Sequence, residues 1–142
     1  MKKTILLIDD DEDEFELFIE ALRETDFSYD CIFTKDAEQA LNLLHYTVPD
    51  FIFLDYNMPR INGLQCLREI KKIESMQDVP VILYSTAISK ELTENAITNG
   101  AALCIKKPYN LSMLAEILKS VLAMPLAIQN VFYYPDESAK NN

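Results

Sequence analysis

Histidine is almost missing from this sequence. His45 is the single one, which argues against metal sites built on several imidazoles and against a Ser/His/Asp triad. It reads as a helix-surface residue. Cysteine is sparse too. Cys31, Cys66 and Cys104 are odd in number and widely spaced, which suits neither a disulfide framework nor a zinc site with paired ligands. They are expected as buried free thiols. Basic residues are outnumbered: 13 Lys and Arg stand against 23 Asp and Glu, for a net charge of -10. Binding nucleic acid or anionic membrane by charge alone is thereby disfavoured, because phosphate contacts need clustered cations. Metal cations and basic protein surfaces are favoured instead. No apolar run approaches the roughly 20 residues of a transmembrane helix, and the first one, "TILLI", meets acid too early for a signal peptide. A cytoplasmic protein is the expectation. Internal repeats and low-complexity segments are also lacking.

What remains is enough for one domain with one real core, since 49% of the 142 residues are apolar. Short apolar runs recur as "TILLI" (4–8), "YDCIFT" (29–34), "DFIFLD" (50–55), "VPVILYS" (79–85) and "ALCIK" (102–106). Near-continuous hydrophobicity of this length fits parallel strands covered on both faces. Between them lie helical stripes: Phe15, Phe18, Ile19 and Leu22; Ala37, Ala40, Leu41 and Leu44; Leu64, Leu67 and Ile70. Asp36 with Gln39 reads as a capping box, Ser89 and Asn110 as N-caps, and Asn99-Gly100 as a helix end. The order is β-α five times, an α/β class with a five-stranded parallel sheet and helices on both faces. The domain is expected over 1–124, its last helix at roughly 111–123 and broken by Pro125. Residues 125–142 are expected as an extension, "NVFYY" forming a short strand or packed segment and "PDESAKNN" disordered.

Sites in such sheets form at the carboxyl ends of the strands. Strand one ends in Asp9 and Asp10, strand three in Asp55, strand four in Ser85 and Thr86, strand five in Lys106, Lys107 and Pro108; strand two ends less tellingly in Thr34 and Lys35. Asp9 and Asp10 open a run of six acids ending at Glu14, and two unit charges about 4 Å apart repel by roughly 4 kcal/mol at an effective dielectric near 20. A hard cation with oxygen ligands, Mg2+ for preference, relieves that repulsion. Asp11 to Glu14 are then ordinary helix-opening acids. Beside a cation, Asp55 could act as a nucleophile toward a phosphoryl group, with the Ser85 hydroxyl and the Lys107 ammonium meeting its oxygens.

In "ILLIDDDED", "PDFIFLDYNMPRINGLQCLREIK", "VPVILYSTA" and "NGAALCIKKPYN" the sequence resembles the receiver domain of two-component response regulators, over about residues 3–123. It is similar in kind to the single-domain chemotaxis regulator. The resemblance implies a flavodoxin-like doubly wound fold, and Asp55 as acceptor of phosphoryl from a sensor histidine kinase or a histidine phosphotransfer protein. It implies Mg2+ held by Asp10 and Asp55, by Asp9 through water, and by the main-chain carbonyl of Asn57. Ser85 matches the hydroxyl that follows the phosphate, Lys107 its ion-pair partner, and Pro108 a cis peptide. Thr86 is a second candidate hydroxyl, although register from Pro80 favours Ser85. Output is expected through helix four, strand five and helix five, to a downstream protein target or a homodimer partner. One position departs from the pattern: the switch aromatic three residues before the lysine is Cys104, whose thiol cannot swing as a phenol ring does. Tyr84 and Tyr109 are the nearby aromatics that could stand in.

Three other readings compete. Asp9, Asp11, Asp13 and Glu20 occupy calcium-loop positions, but Glu14 stands where the sharp turn needs Gly. A haloacid dehalogenase-like phosphatase would use Asp9 as nucleophile and Asp11 as acid/base, yet it needs a further acid pair beyond Lys107, where only Glu116, Asp136 and Glu137 remain. The third is a receiver-like protein-binding module that is never phosphorylated.

Overall fold

The computed structural model describes residues 3–124, so the expectations for the 125–142 extension lie outside the described residues. Five strands, β1 (Lys3–Ile8), β2 (Tyr29–Thr34), β3 (Phe51–Leu54), β4 (Val81–Ser85) and β5 (Leu103–Lys106), form one sheet in the order β2-β1-β3-β4-β5. Every pairing is parallel. Five helices alternate with them: α1 (Glu12–Arg23), α2 (Ala37–Leu44), α3 (Gly63–Lys72), α4 (Lys90–Thr98) and α5 (Leu111–Ala123). This is the flavodoxin-like doubly wound fold.

The strands read as continuous apolar runs because consecutive residues feed two different cores. Ile5, Leu7, Phe53, Ile82, Tyr84 and Ile105 pack with Phe18, Leu114 and Leu118 under α1 and α5. Their neighbours Leu6, Ile8, Leu54, Val81, Leu83 and Cys104 pack with Leu44, Leu67, Ile70 and Ala96 under α2, α3 and α4. Each fully buried Leu, Ile or Phe side chain contributes about 1.5–3 kcal/mol, so register is strongly enforced on the central strands. At the sheet edge this weakens. β2 is only partly covered, and Cys31 on it is half-buried rather than buried as expected, while Cys66 and Cys104 are buried.

The helix ends follow the local chemistry of their caps. Asn110 and Ser89 accept from the backbone N–H groups of Met113 and Leu92. Asp36 accepts from the Gln39 N–H, but the Gln39 amide oxygen takes the Lys35 N–H, so the reciprocal bond of a capping box is displaced by one residue. The complete box is instead at Asn62 and Gln65. At the end of α4, Gly100 has φ +107° and donates to the Ile97 carbonyl while Ala101 donates to Ala96, the Schellman pattern that glycine permits.

One connection was not foreseen from the sequence. A 3-10 turn, Glu74–Met76, follows α3 and drives Met76 into the core. The ammonium of Lys71 ties it down, donating to the carbonyls of Met76, Gln77 and Val79 at 3.1, 3.3 and 2.7 Å. Lys71→Met keeps the aliphatic stem and abandons three acceptors; it is expected to cost about 1–3 kcal/mol, read as a lower urea midpoint at unchanged slope.

Candidate functional site

The chain leaves β1 for β2 on one side and returns to β3 on the other. The crevice between the carboxyl ends of β1 and β3 is therefore the topological switch point of the sheet. Asp9 is locked there by its main chain, which donates to the Thr34 carbonyl at 3.1 Å. Its side chain is fully buried; Oδ1 accepts from the Asp11 N–H at 3.0 Å and Oδ2 from Lys107 Nζ at 2.7 Å. Asp55, one residue past β3, donates its N–H to the Ile8 carbonyl at 2.9 Å and is also buried. Asp10 stands exposed at the mouth.

Lys107 is the hub. Besides Asp9, its ammonium lies 3.8 Å from Asp55 Oδ1 and 4.0 Å from Glu14 Oε1, and 5.4 Å from the centre of the Tyr84 ring. Burial works against its charge, but the Asp9 hydrogen bond and the charges of Asp55, Asp9 and Glu14 prevail and hold its pKa above the ordinary lysine range. Asp55 goes the opposite way to most carboxylates. Burial pushes it up to about 6; Lys107 and the Asn57 N–H oppose the rise, while Asp9 and Asp10 add to it. Burial likewise raises Glu14, against the pull of Lys107.

Asp9, Asp10 and Asp55 each offer a carboxylate oxygen within 4.8 Å of the others. Opposite ligands of an octahedral Mg2+ at 2.0–2.1 Å stand about 4.2 Å apart, so a small closure would let the set converge on one ion, or reach it partly through water. The donor set fits the ion in kind as well: all ligands are hard oxygens. The loop after β3 brings Asn57 to the surface beside Asp55.

Ser85 is fully buried at the end of β4, and its hydroxyl has no hydrogen-bond partner. Such an orphan costs about 1–3 kcal/mol unless something enters the crevice to meet it. Thr86 is exposed. Its backbone neighbour matters more: the Ser85 carbonyl accepts from the Lys107 N–H at 2.9 Å, tying the ends of β4 and β5 together.

Several expectations need correction or addition. The Lys107–Pro108 peptide is trans, not cis, as are all the described peptides; a prolyl bond retains a trans preference of about 0.5–1 kcal/mol. Cys104 is buried beneath α4, its thiol pushed up to about 11 by burial and opposed by a hydrogen bond with Thr93. Tyr84 packs edge-on between Phe18 and Phe53 and is 1% exposed, whereas Tyr109 is 72% exposed. The sequence reading overlooked Gly63. A Cβ there would lie 2.6 Å from the Asp55 carbonyl oxygen and 2.7 Å from the Tyr56 Cα, and its N–H bonds the Tyr56 carbonyl at 2.8 Å. Arg60 was also overlooked. It adopts φ +70° inside a γ-turn closed by Ile61 N–H to the Pro59 carbonyl, a strained form, and it bonds Asp36 at 3.0 Å.

A doubly wound domain with three convergent carboxylates and a buried ammonium at its switch point, and an orphan buried hydroxyl at the end of the next strand, is thus defined. The family model of the response regulator receiver domain matches residues 5–119, and the chain belongs to that family. It is similar to the polar-differentiation response regulator DivK of Brucella ovis, 28% identical over 122 residues that span 86% of this chain and 98% of DivK. Among solved structures, the phosphorylated cyanobacterial phytochrome response regulator RcpA superposes with a TM-score of 0.77 at 28% identity, covering 85% of this chain and 91% of RcpA. The chemotaxis response regulator CheY4 of Vibrio cholerae shares the fold, with a TM-score of 0.73 at 21% identity over 85% and 99% of the two chains. Membership places the chain in two-component signalling, between kinases or phosphotransfer proteins and downstream targets. Receiver domains are signalling proteins that generally bind Mg2+ at an acidic pocket. No helix among the described residues is long and apolar enough to cross a membrane.

Two outcomes test this geometry. With a chelator present, Asp55→Asn is expected to stabilise the protein at pH 7. The folded pKa of Asp55 stands above its unfolded value, so its protonation favours folding, and that contribution is lost as pH rises through about 6. Removing the group should recover about 1–3 kcal/mol at pH 7 and little at pH 4, seen as a melting-temperature difference that shrinks on acidification. Gly63→Ala forces backbone apart beneath Asp55 and is expected to cost about 1–3 kcal/mol in chemical denaturation.

Proposed function

We propose that Asp55 is the phosphoacceptor of a Mg2+-dependent phosphorelay switch. The observation that carries the reading is a carboxylate kept poorly solvated and 3.8 Å from a buried ammonium, with an unpartnered buried hydroxyl at the end of the adjacent strand. A carboxylate oxygen of Asp55 attacks the phosphorus of a phosphohistidine; the P–O bond forms as the P–N bond breaks, and the imidazole leaves with the electron pair. Little covalent help is needed in such transfers beyond alignment and neutralised oxygen charge. The Lys107 ammonium supplies one counter-charge, and the Ser85 hydroxyl has a free donor for an oxygen of the new acyl phosphate. Asp10 and Asp55 would hold Mg2+ directly, Asp9 through water, and the Asn57 carbonyl would complete the protein ligands. Bound there, the ion supplies neutralisation of oxygen charge.

Partners follow from this reading. A sensor histidine kinase or histidine phosphotransfer protein donates the phosphoryl, and a downstream protein, or a second copy of the chain, reads the altered α4-β5-α5 face. The setting is cytoplasmic, as in two-component signalling generally. DivK and RcpA, at the same level of identity, are named response regulators, and RcpA is described as phosphorylated. The phosphatase alternative gains nothing from the described residues: Glu116 is exposed on α5 and paired with Lys119 at 3.4 Å.

Acetyl phosphate with Mg2+ is expected to add a single acid-stable, base-labile phosphoryl group, counted by intact mass. Asp55→Asn should abolish it, and chelation of Mg2+ should do the same. Lys107→Ala should slow adduct formation by about a hundredfold. An Asp55→Asn chain that gains the same adduct refutes the assignment.

A further inference from the structure

Glu14 has no part in the phosphoryl chemistry proposed above. As the third residue of α1, preceded by the N-cap Asp11, it sits where a capping glutamate turns back to the N-cap N–H. That N–H is not available, because Asp9 Oδ1 already accepts it at 3.0 Å. The Asp11 carboxylate accepts from Asp13 instead of Glu14. Released from the helix end, the Glu14 side chain lies over the crevice, 23% exposed, with Oε1 4.0 Å from Lys107 Nζ. It is thus a third carboxylate addressed to one ammonium, held by a helix rather than by a strand end, and outside the set that converges for a cation.

We propose that Glu14 is a positioning residue that restrains phosphoryl loading by competing for Lys107; this rests on Asp55 being the acceptor. A phosphoryl donor and the acyl phosphate bring negative charge to a place where Lys107 must turn to their oxygens. Glu14 opposes both, by retaining a share of the ammonium and by direct repulsion, which is weakly screened where water is partly excluded. The same charge favours an incoming cation. The signs are therefore opposite: without the Glu14 charge, Mg2+ should bind more weakly while phosphoryl transfer goes faster and the adduct lasts longer.

The experiment compares the full-length wild-type chain with Glu14→Gln and Glu14→Asp. Calorimetric titration of the metal-free proteins gives the Mg2+ dissociation constant. Adduct formation from acetyl phosphate and adduct half-life are followed by intact mass at saturating Mg2+ for each protein. Expected for Glu14→Gln are a Mg2+ constant raised at least threefold, a formation rate raised at least threefold at low donor concentration, and a half-life extended at least threefold. Glu14→Asp should return each quantity toward wild type. Rates and half-life within twofold of wild type overturn the inference, whether or not the Mg2+ constant moves, and so do equal changes in both variants. A wild-type chain that gains no adduct overturns the Asp55 reading and this inference with it, whereas a normal wild-type adduct with an indifferent Glu14→Gln overturns this inference alone.

Discussion

The organisation of the site depends on one ion pair, Lys107 Nζ to Asp9 Oδ2 at 2.7 Å, whose side chains are 8% and 1% exposed. It joins residues 98 positions apart, the loop after the last strand to the end of the first, across the two strands between them. A buried pair of this kind is a doubtful source of stability, because removing two charges from water costs several kcal/mol per ion. Here the surroundings make it dearer still, since Asp55 and Glu14 approach the same ammonium. Replacing such a pair by apolar residues of similar volume is often neutral or stabilising. What the pair supplies is a fixed positive charge at the switch point of the sheet, poised beside an excess of carboxylate.

The scaffold spends its own structure to hold that arrangement. Beneath the ammonium, Tyr84 offers a ring face and is itself wedged between Phe18 and Phe53, so the α1/α5 core supports the charge from below. On the other side, Gly63 lets the first turn of α3 rest directly against the backbone of Asp55 and Tyr56. The strained γ-turn at Arg60 closes the same loop and leans on Asp36 at the start of α2. Strain in the loop that follows Asp55, the raised Asp55 and the orphan Ser85 hydroxyl all occur at the carboxyl ends of neighbouring strands, a pattern typical of sites where stability is traded for chemistry.

Much of this was legible in the sequence, for physical reasons. Parallel strands buried on both faces announce themselves as apolar runs, and the strand-end rule then brought Asp9, Asp10, Asp55, Ser85 and Lys107 to one edge without any side-chain geometry. Caps at Ser89, Asn110 and Gly100 were equally readable, since each satisfies its own backbone within a few residues. The failures were non-local. Gly63 is required by a backbone eight residues upstream, Glu14 is freed from capping by a bond that Asp9 makes, and Lys71 finds its acceptors in a turn with weak sequence signals. Cys31 was misjudged because edge and centre strands look alike in sequence. For Pro108 only the family resemblance spoke for a cis bond.

Cys104 bears on how a change at Asp55 could reach the outer face. Position 104 has no aromatic to rotate, and Tyr84 is packed in the core against Phe18 and Phe53. The main chain offers another route. The Ser85 carbonyl accepts from the Lys107 N–H, and Ser85 lies in register with Lys106, so a pull on the Ser85 hydroxyl and a pull on the Lys107 ammonium act on the same pair of strand ends. On the proposed chemistry both pulls point toward Asp55 and add. Thr86 to Ser89 lead from that junction to the cap of α4, and Pro108 to Asn110 lead to the cap of α5. A cavity of about 500 Å3 lies alongside, lined by Tyr56, Thr86, Ile88, Leu92 and Lys106, which leaves the first of these loops room to move. Displacement of two capped helix starts by one hydrogen-bonded junction is therefore the coupling this architecture can transmit, and it needs no aromatic switch.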